Sequence, residues 1–340
     1  MIAEVKDGLN FFSKLSLRKV LNYIFLLLSY KISGWTKKNV HLGMPFSVSY
    51  EPTTSCNLRC PECPSGLRSF TRPTGMLALE SYKKTIEELA PHLAYLTLYF
   101  QGEPYLHPSF FDLATFASKK RIYTSTSTNG HYLTEEIARK TVESGLDRLI
   151  ISIDGTTQET YEAYRVGGRL SKVLEGTRHV TRWKKKLKSS TPYVIFQFLV
   201  VGPNEHQIGE VKELARELGV DKVLYKTAQI YNYKEGSPLI PRNDKYSRYA
   251  LGEDGAYHLK SVVGDNCWKM WHSCVITWDG KVVPCCFDKD GQYTLGALQD
   301  TSFKAIWKNQ AYDQFRKSLL RGRDQIEICR NCTEGAKVWA

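Results

Sequence analysis

The chain has 340 residues, enough for about two domains and for a core that removes roughly three quarters of the unfolded surface from water. With 42% hydrophobic and 24% charged residues, 24 Gly and 13 Pro, the composition excludes disordered, collagen-like and coiled-coil classes. The net charge of +12 suits an anionic partner, but 35 acidic residues interspersed among the basic ones describe an ordinary solvated surface, and no nucleic-acid partner is expected.

Residues 1–45 read as an amphipathic helical extension, because Phe11, Phe12 and Leu15, then Ile24, Leu27 and Leu28, recur at helical spacing between Lys14, Arg18, Lys19 and Lys31. The stripe is expected to close the bottom of the domain that follows; the sharper alternative is peripheral contact with an anionic membrane or a lipid-linked substrate. Its longest apolar run, Val20 to Leu28, is interrupted by Asn22 and falls short of the ~20 residues that cross a bilayer.

From Phe46 to Ala228 strand-like runs at 46–51, 94–100, 121–127, 148–153, 193–200 and 222–228 alternate with helical stretches at 80–90, 108–119, 134–144, 157–186 and 206–218. Such alternation predicts an α/β fold of parallel strands joined by right-handed crossovers, as an open sheet or a partial barrel. Functional residues then belong at the carboxyl ends of the strands. Residues 229–264 read as a Tyr- and Pro-containing linker. Residues 265–340 form a small cysteine-bearing domain, with a hairpin around Asp279-Gly280 in VITWDGKVV and a helix at about 302–319.

Nine cysteines cannot all pair, and the first thirty residues carry Glu4, Asp7 and no signal-cleavage pattern; the reading is a reducing cytoplasm, with membrane association as a variant. There, clustered cysteines serve metals or redox chemistry. Cys56, Cys60 and Cys63 form C-x3-C-x2-C on the loop leaving the first strand. Three thiolates suit a cubane iron–sulfur cluster with one iron open to a non-protein ligand, whereas a structural zinc site wants a fourth protein ligand. Cys267, Cys274, Cys285, Cys286, Cys329 and Cys332 follow near the end. Four thiolates from this group suffice for one fully ligated cubane, or for a tetrahedral zinc. Cys285 and Cys286 sit in β-like text, where side chains alternate faces, so only one of them is expected to join a given site.

CNLRCPEC, residues 56–63, resembles the cluster motif of the radical S-adenosylmethionine (radical SAM) superfamily, and the six βα units resemble its partial (β/α)6 TIM-like barrel. The resemblance implies a [4Fe–4S] cluster on Cys56, Cys60 and Cys63 that binds S-adenosylmethionine. Gln101-Gly102-Glu103-Pro104 is similar to the Gly-Gly-Glu-Pro stretch that meets the methionine amino group, with Gln101 as a departure. Thr128 and Asn129, then Ser152 and Arg165, stand where family members address the ribose and the methionine carboxylate. Glu62 is a second departure, at a position often aromatic, and Gly202-Pro203-Asn204 is a candidate lining for the adenine or simply a turn. The C-terminal cysteines resemble the twitch or SPASM extension, which implies an auxiliary [4Fe–4S] cluster on Cys267, Cys285, Cys329 and Cys332.

The implied activity is reductive cleavage of S-adenosylmethionine to a 5′-deoxyadenosyl radical that takes hydrogen from a substrate. The auxiliary cluster would assist a net oxidation of a small anionic or carbohydrate-like molecule. A peptide-modifying maturase and a non-enzymatic iron–sulfur electron carrier are the alternatives. A flavodoxin- or ferredoxin-type donor is the implied partner. Asp288, Tyr225, Tyr231 and His272 are possible acid–base groups, and no catalytic side chain is assigned.

Overall fold

Helices α1 (Ile2–Ser13) and α2 (Leu17–Thr36) open the chain, with the Ser16 side chain accepting from the Lys19 amide to start the second. The structure, a computed structural model, describes residues 2–260, 264 and 267–333. The end of the expected linker and the first and last residues of the expected C-terminal domain lie outside the described residues. No helix among the described residues is long and apolar enough to cross a membrane.

Six parallel strands follow: β1 (Ser47–Tyr50), β2 (Tyr95–Thr97), β3 (Tyr123–Thr128), β4 (Arg148–Ser152), β5 (Tyr193–Val200) and β6 (Lys222–Thr227). They lie side by side in chain order, with helices in every connection: α3 (Pro64–Leu67) and α4 (Leu79–Leu89), α5 (Phe110–Lys119), α6 (Glu135–Glu143), α7 (Gln158–Tyr164) and α8 (Leu170–Lys186), and α9 (Glu210–Glu217). Apolar side chains at i, i+4 and i+7 give α4 a buried stripe of Tyr82, Ile86 and Leu89, which packs on Val48, Leu96 and Leu98. Thr134 caps α6 and Glu135 and Glu136 fill its first turn, where the helix dipole favours negative charge.

The expected single helix over 157–186 is two, because Gly167 at φ +78° breaks the run. The stretch at 206–218 begins as a 3-10 turn over Gly202–Gln207 before α9. Residues 229–264 hold more structure than their text suggests: β7 (Tyr249–Leu251) and β8 (Tyr257–Leu259) form a small antiparallel pair.

After α10 (Trp268–His272) the hairpin forms where Asp279-Gly280 predicts it, as β9 (Ser273–Ile276) and β10 (Lys281–Val283), joined by β11 (Gly296–Ala297). β9 pairs in parallel with β1, Ser47 opposite Ser273, so the hairpin extends the barrel sheet into nine strands ordered β11-β10-β9-β1-β2-β3-β4-β5-β6. The edges β11 and β6 do not pair with each other, and the barrel stays open. The helix expected at 302–319 is also two, α11 (Phe303–Trp307) and α12 (Gln310–Arg321), because Asn309 starts a new helix by accepting from the Tyr312 amide.

The arm closes the amino-terminal end of the sheet. Phe11 packs against Phe46, Tyr95 and Tyr123, Asp7 accepts from Tyr123 and Arg148, and Glu4 pairs with Lys222. These partners sit at the starts of five of the parallel strands. The opposite, carboxyl end is left free for the site.

Candidate functional site

The loop after β1 carries Cys56, Cys60 and Cys63, and close backbone approaches hold it in place. Gly102 takes φ +73°, and a Cβ there would stand 2.3 Å from the Thr53 carbonyl oxygen. Only glycine fits, and it lets the loop after β2 lie against the cysteine loop, with the Glu103 amide donating to Ser55 O at 2.7 Å. Gln101 is absent from the residues with positive φ, so its departure from glycine needs no strained backbone. Gly66 likewise lets α3 pack on Cys60, where a Cβ would meet the Cys60 amide at 2.6 Å.

Each thiol of the trio faces a different polar side chain. Asn129 Nδ2 stands 3.9 Å from Cys56 Sγ, Arg165 Nη1 3.8 Å from Cys60 Sγ, and the Cys63 thiol points at Gln101 Oε1 at 3.9 Å. Burial pushes the Cys56 thiol up to about 11 and raises that of Cys60, with the Arg165 charge opposing. Thiols so raised stay protonated at neutral pH, and loading a metal must release those protons.

Glu103 and Arg165 are both engaged within the protein. The Glu103 carboxylate accepts from Thr128 Oγ1 and the Asn129 amide, both at 2.7 Å, and from the Tyr105 amide at 3.2 Å. Its oxygens, together with the Thr128 hydroxyl, tie β2 to β3, and burial raises this carboxyl to about 7. Pro104, itself buried, starts a 3-10 turn beside it. Arg165 is locked by Asp154, Nε to Oδ2 at 2.5 Å, while Asp154 Oδ1 accepts from the Leu199 amide. Asp154 is a positioning residue that the sequence reading passed over. Ser152 is buried at the end of β4, opposite Gln197 of β5. Asn204 bonds Asp154 O, Leu199 O and the Val201 amide, which holds the Gly202-Pro203-Asn204 turn against the ends of β4 and β5.

Tyr99 was also missed. Its phenol is raised by burial and by the neighbouring Cys63, with Arg165, Cys56 and Glu103 also acting on it. Period-two alternation points to it, since Leu96, Leu98 and Phe100 are buried and the residues between them turn the other way.

Cys267, Cys285, Cys329 and Cys332 line one cavity together with Met270 and Phe315. Burial raises the Cys285 and Cys329 thiols, and Arg323 Nη2 donates to Cys332 Sγ at 3.4 Å. Cys286 turns to the other face, among Phe100, Val275 and Val283, with Lys269 Nζ 3.7 Å from its sulfur. Cys274 is buried beside Tyr312 and Arg316, with its thiol pushed up to about 12 by burial. Among the described residues no group of three or more His, Cys, Asp or Glu is spaced for a single metal ion. A tetrahedral zinc draws its thiolates to within about 4 Å of one another, whereas the thiolates of a cubane ligate separate irons. Three thiols leave one iron of a cubane open and four can cap every iron of a second, so both donor sets suit iron–sulfur clusters.

The two groups are clipped together. Arg72 makes a two-pronged ion pair with buried Glu51 at 2.6 and 2.8 Å, and its Nε donates to Lys289 O. Of the four acid–base candidates, Asp288 caps the Gln292 and Tyr293 amides, Tyr225 donates to Ile208 O, and His272 stacks on Trp268. Tyr231 differs, because its hydroxyl accepts from Lys289 Nζ at 2.8 Å and its amide donates to Glu62. Lys289 lies near both Cys63 and Cys286, and burial lowers its pKa. Arg248, near Cys332 and Cys286, donates through Nε to Thr227 and leaves its buried Nη1 without a hydrogen-bond partner.

Residues 50–218 match the radical SAM superfamily, and residues 267–333 match the iron–sulfur cluster-binding domain SPASM. The chain belongs to that superfamily: it is a radical SAM enzyme with a SPASM domain, and its cofactors are S-adenosylmethionine and [4Fe–4S] clusters. The AdoMet-dependent heme synthase of Methanosarcina barkeri is 26% identical over 330 residues, covering 85% of this chain and 91% of its own. The PqqA peptide cyclase of Gluconobacter oxydans is 26% identical over 316 residues, covering 87% and 84%. Streptococcus suis SuiB bound to S-adenosylmethionine shares the fold, with a TM-score of 0.63 at 12% identity over 84% of this chain and 70% of that one.

Proposed function

We propose that this enzyme oxidises a small anionic substrate held between the cysteine trio and the C-terminal cysteines. Cys56, Cys60 and Cys63 would hold the cluster that binds S-adenosylmethionine, and Cys267, Cys285, Cys329 and Cys332 the auxiliary one. So loaded, the site supplies a 5′-deoxyadenosyl radical that removes a hydrogen atom and a one-electron acceptor that completes a two-electron oxidation. Arg165, held by Asp154, offers its guanidinium to a carboxylate at the trio, and Gln101 and Asn129 offer neutral polar contacts beside it. Thr128, Glu103 and Pro104 shape that edge by joining the ends of β2 and β3. A one-electron donor of flavodoxin or ferredoxin type belongs to this reading.

One observation carries the substrate class. Arg248 stands near Cys332 and Cys286, partly withdrawn from water with its Nη1 unpartnered, while Lys289 stands near Cys63 and Cys286, donates to the Tyr231 hydroxyl and has Glu62 close by. Burying the Arg248 guanidinium with an unpartnered nitrogen is costly, and an anionic group entering that space relieves the cost. The experiment is turnover of a panel of small carboxylates against their matched amides, by anaerobically reconstituted enzyme. Acids are expected to react and amides to fail, with Arg248→Met losing about tenfold in kcat/KM, as for one charged hydrogen bond. Equal turnover of acids and amides would contradict the proposal. A peptide substrate is the second reading, favoured by the likeness to a peptide cyclase; its mark is a modified peptide in the same assay.

A further inference from the structure

Helix α2 is turned inside out. The side chains it buries are Lys19, Asn22, Leu26, Ser29 and Ser33, four of the five polar, and all four polar ones are engaged. Lys19 Nζ donates to Arg121 O at 2.6 Å, Asn22 bonds both the amide and the carbonyl of Met44 at 2.8 Å, Ser29 accepts from the Leu42 amide, and Ser33 bonds Val40. Its solvent side carries Leu21, Ile24, Phe25, Leu28 and Ile32, and ends in Trp35, which is 87% exposed. The stripe expected to pack downward, Ile24, Leu27 and Leu28, therefore faces out. A surface helix in water has the reverse arrangement, and an apolar patch of this extent marks a surface that something covers.

Charge selects what covers it. Between Gly8 and Tyr50 the chain has no acidic residue, while Arg18, Lys31, Lys37 and Lys38 are exposed around the apolar side. A second copy of the chain would set these cations against their own counterparts, which is repulsive. An anionic bilayer offers apolar depth to the stripe and negative charge to its rim. A helix of 20 residues is about 30 Å long and can lie in the headgroup plane, with Trp35 at one end suited to that boundary.

We propose that α2 docks this enzyme on the surface of an anionic membrane, with the barrel mouth turned away from the lipid. The orientation follows from topology. The arm crosses the amino ends of the strands, the trio leaves their carboxyl ends, and so the site opens to the aqueous side, where a soluble donor and substrate approach.

The test uses the full-length protein and vesicles of phosphatidylcholine alone or mixed with phosphatidylglycerol. Co-sedimentation is expected to be at least about tenfold stronger with the anionic vesicles. Leu21→Ser, Ile24→Ser and Leu28→Ser together are expected to abolish it without loss of folded structure by circular dichroism, since all three positions are exposed. Lys31→Glu with Lys38→Glu is expected to weaken it more than tenfold. Three results would each overturn the proposal: no binding to either vesicle, equal binding to both, or a parent dimer in sedimentation equilibrium that the triple serine variant converts to monomer.

Discussion

The two cysteine groups occupy opposite kinds of surroundings. Around Cys56, Cys60 and Cys63 stand Asn129, Arg165 and Gln101, each within 3.9 Å of a sulfur, at the open ends of parallel strands. Around Cys267, Cys285, Cys329 and Cys332 the lining is more apolar, from Met270, Phe287, Phe315, Leu319 and Ile328, with Lys269 and Arg323 also on it. Three thiols with polar neighbours leave one iron of a cubane open to a ligand; four thiols can cap every iron of a cubane. On the proposed reading the first group carries the chemistry and the second stores an electron.

The largest expected effect breaks the contrast outright. Replacing Cys56, Cys60 and Cys63 by Ala is expected to abolish 5′-deoxyadenosine formation and to lower iron content from about eight to about four per chain, one cubane lost of two. Cys285→Ser should also remove about four irons, yet leave cleavage of S-adenosylmethionine in the absence of substrate; loss of both would merge the two roles. Cys286→Ser, on the opposite face, should change neither iron count. Because buried thiols must lose protons on loading, apparent metal affinity at either group is expected to fall about tenfold per pH unit for each proton released, as measured by reconstitution between pH 8 and pH 6.

Arg72→Ala tests what joins the regions. It leaves Glu51 buried without its partner, whose charge now opposes the upward push of burial on that carboxyl. The expected loss is about 3–5 kcal/mol in denaturant unfolding. A loss below about 1 kcal/mol, the scale of an exposed pair, would contradict the clip.

Glu103 gives the smallest effect. Its folded pKa, about 7, lies above the ordinary 4.5, so the folded state holds the extra proton between those values. Stability should therefore decline as pH rises from 4.5 to 7, by at most about 1.4 kcal/mol per pH unit, and level off above. Glu103→Gln should flatten that decline in thermal unfolding across the window.

Much of this is visible in the text of the chain. Cysteine spacing and strand–helix alternation are local, so the trio, the six parallel strands and the Asp279-Gly280 hairpin can be read directly. What cannot be read is set by contacts distant in sequence. The pairing of β9 with β1 joins residues more than two hundred apart. Glu103 turns to Thr128 and Asn129 instead of standing free, and Asp154 fixes Arg165. The arm misleads for a different reason: periodicity shows that a helix has an apolar face but not which way that face turns.

The central claim is that the trio, with its polar surround, holds the cluster at which S-adenosylmethionine is cleaved. The most direct measurement is 5′-deoxyadenosine formed by anaerobically reconstituted protein under strong reductant, beside the Cys56, Cys60 and Cys63 triple variant. The account predicts product from the parent and none from the variant; no product from the parent, or equal product from both, would contradict it.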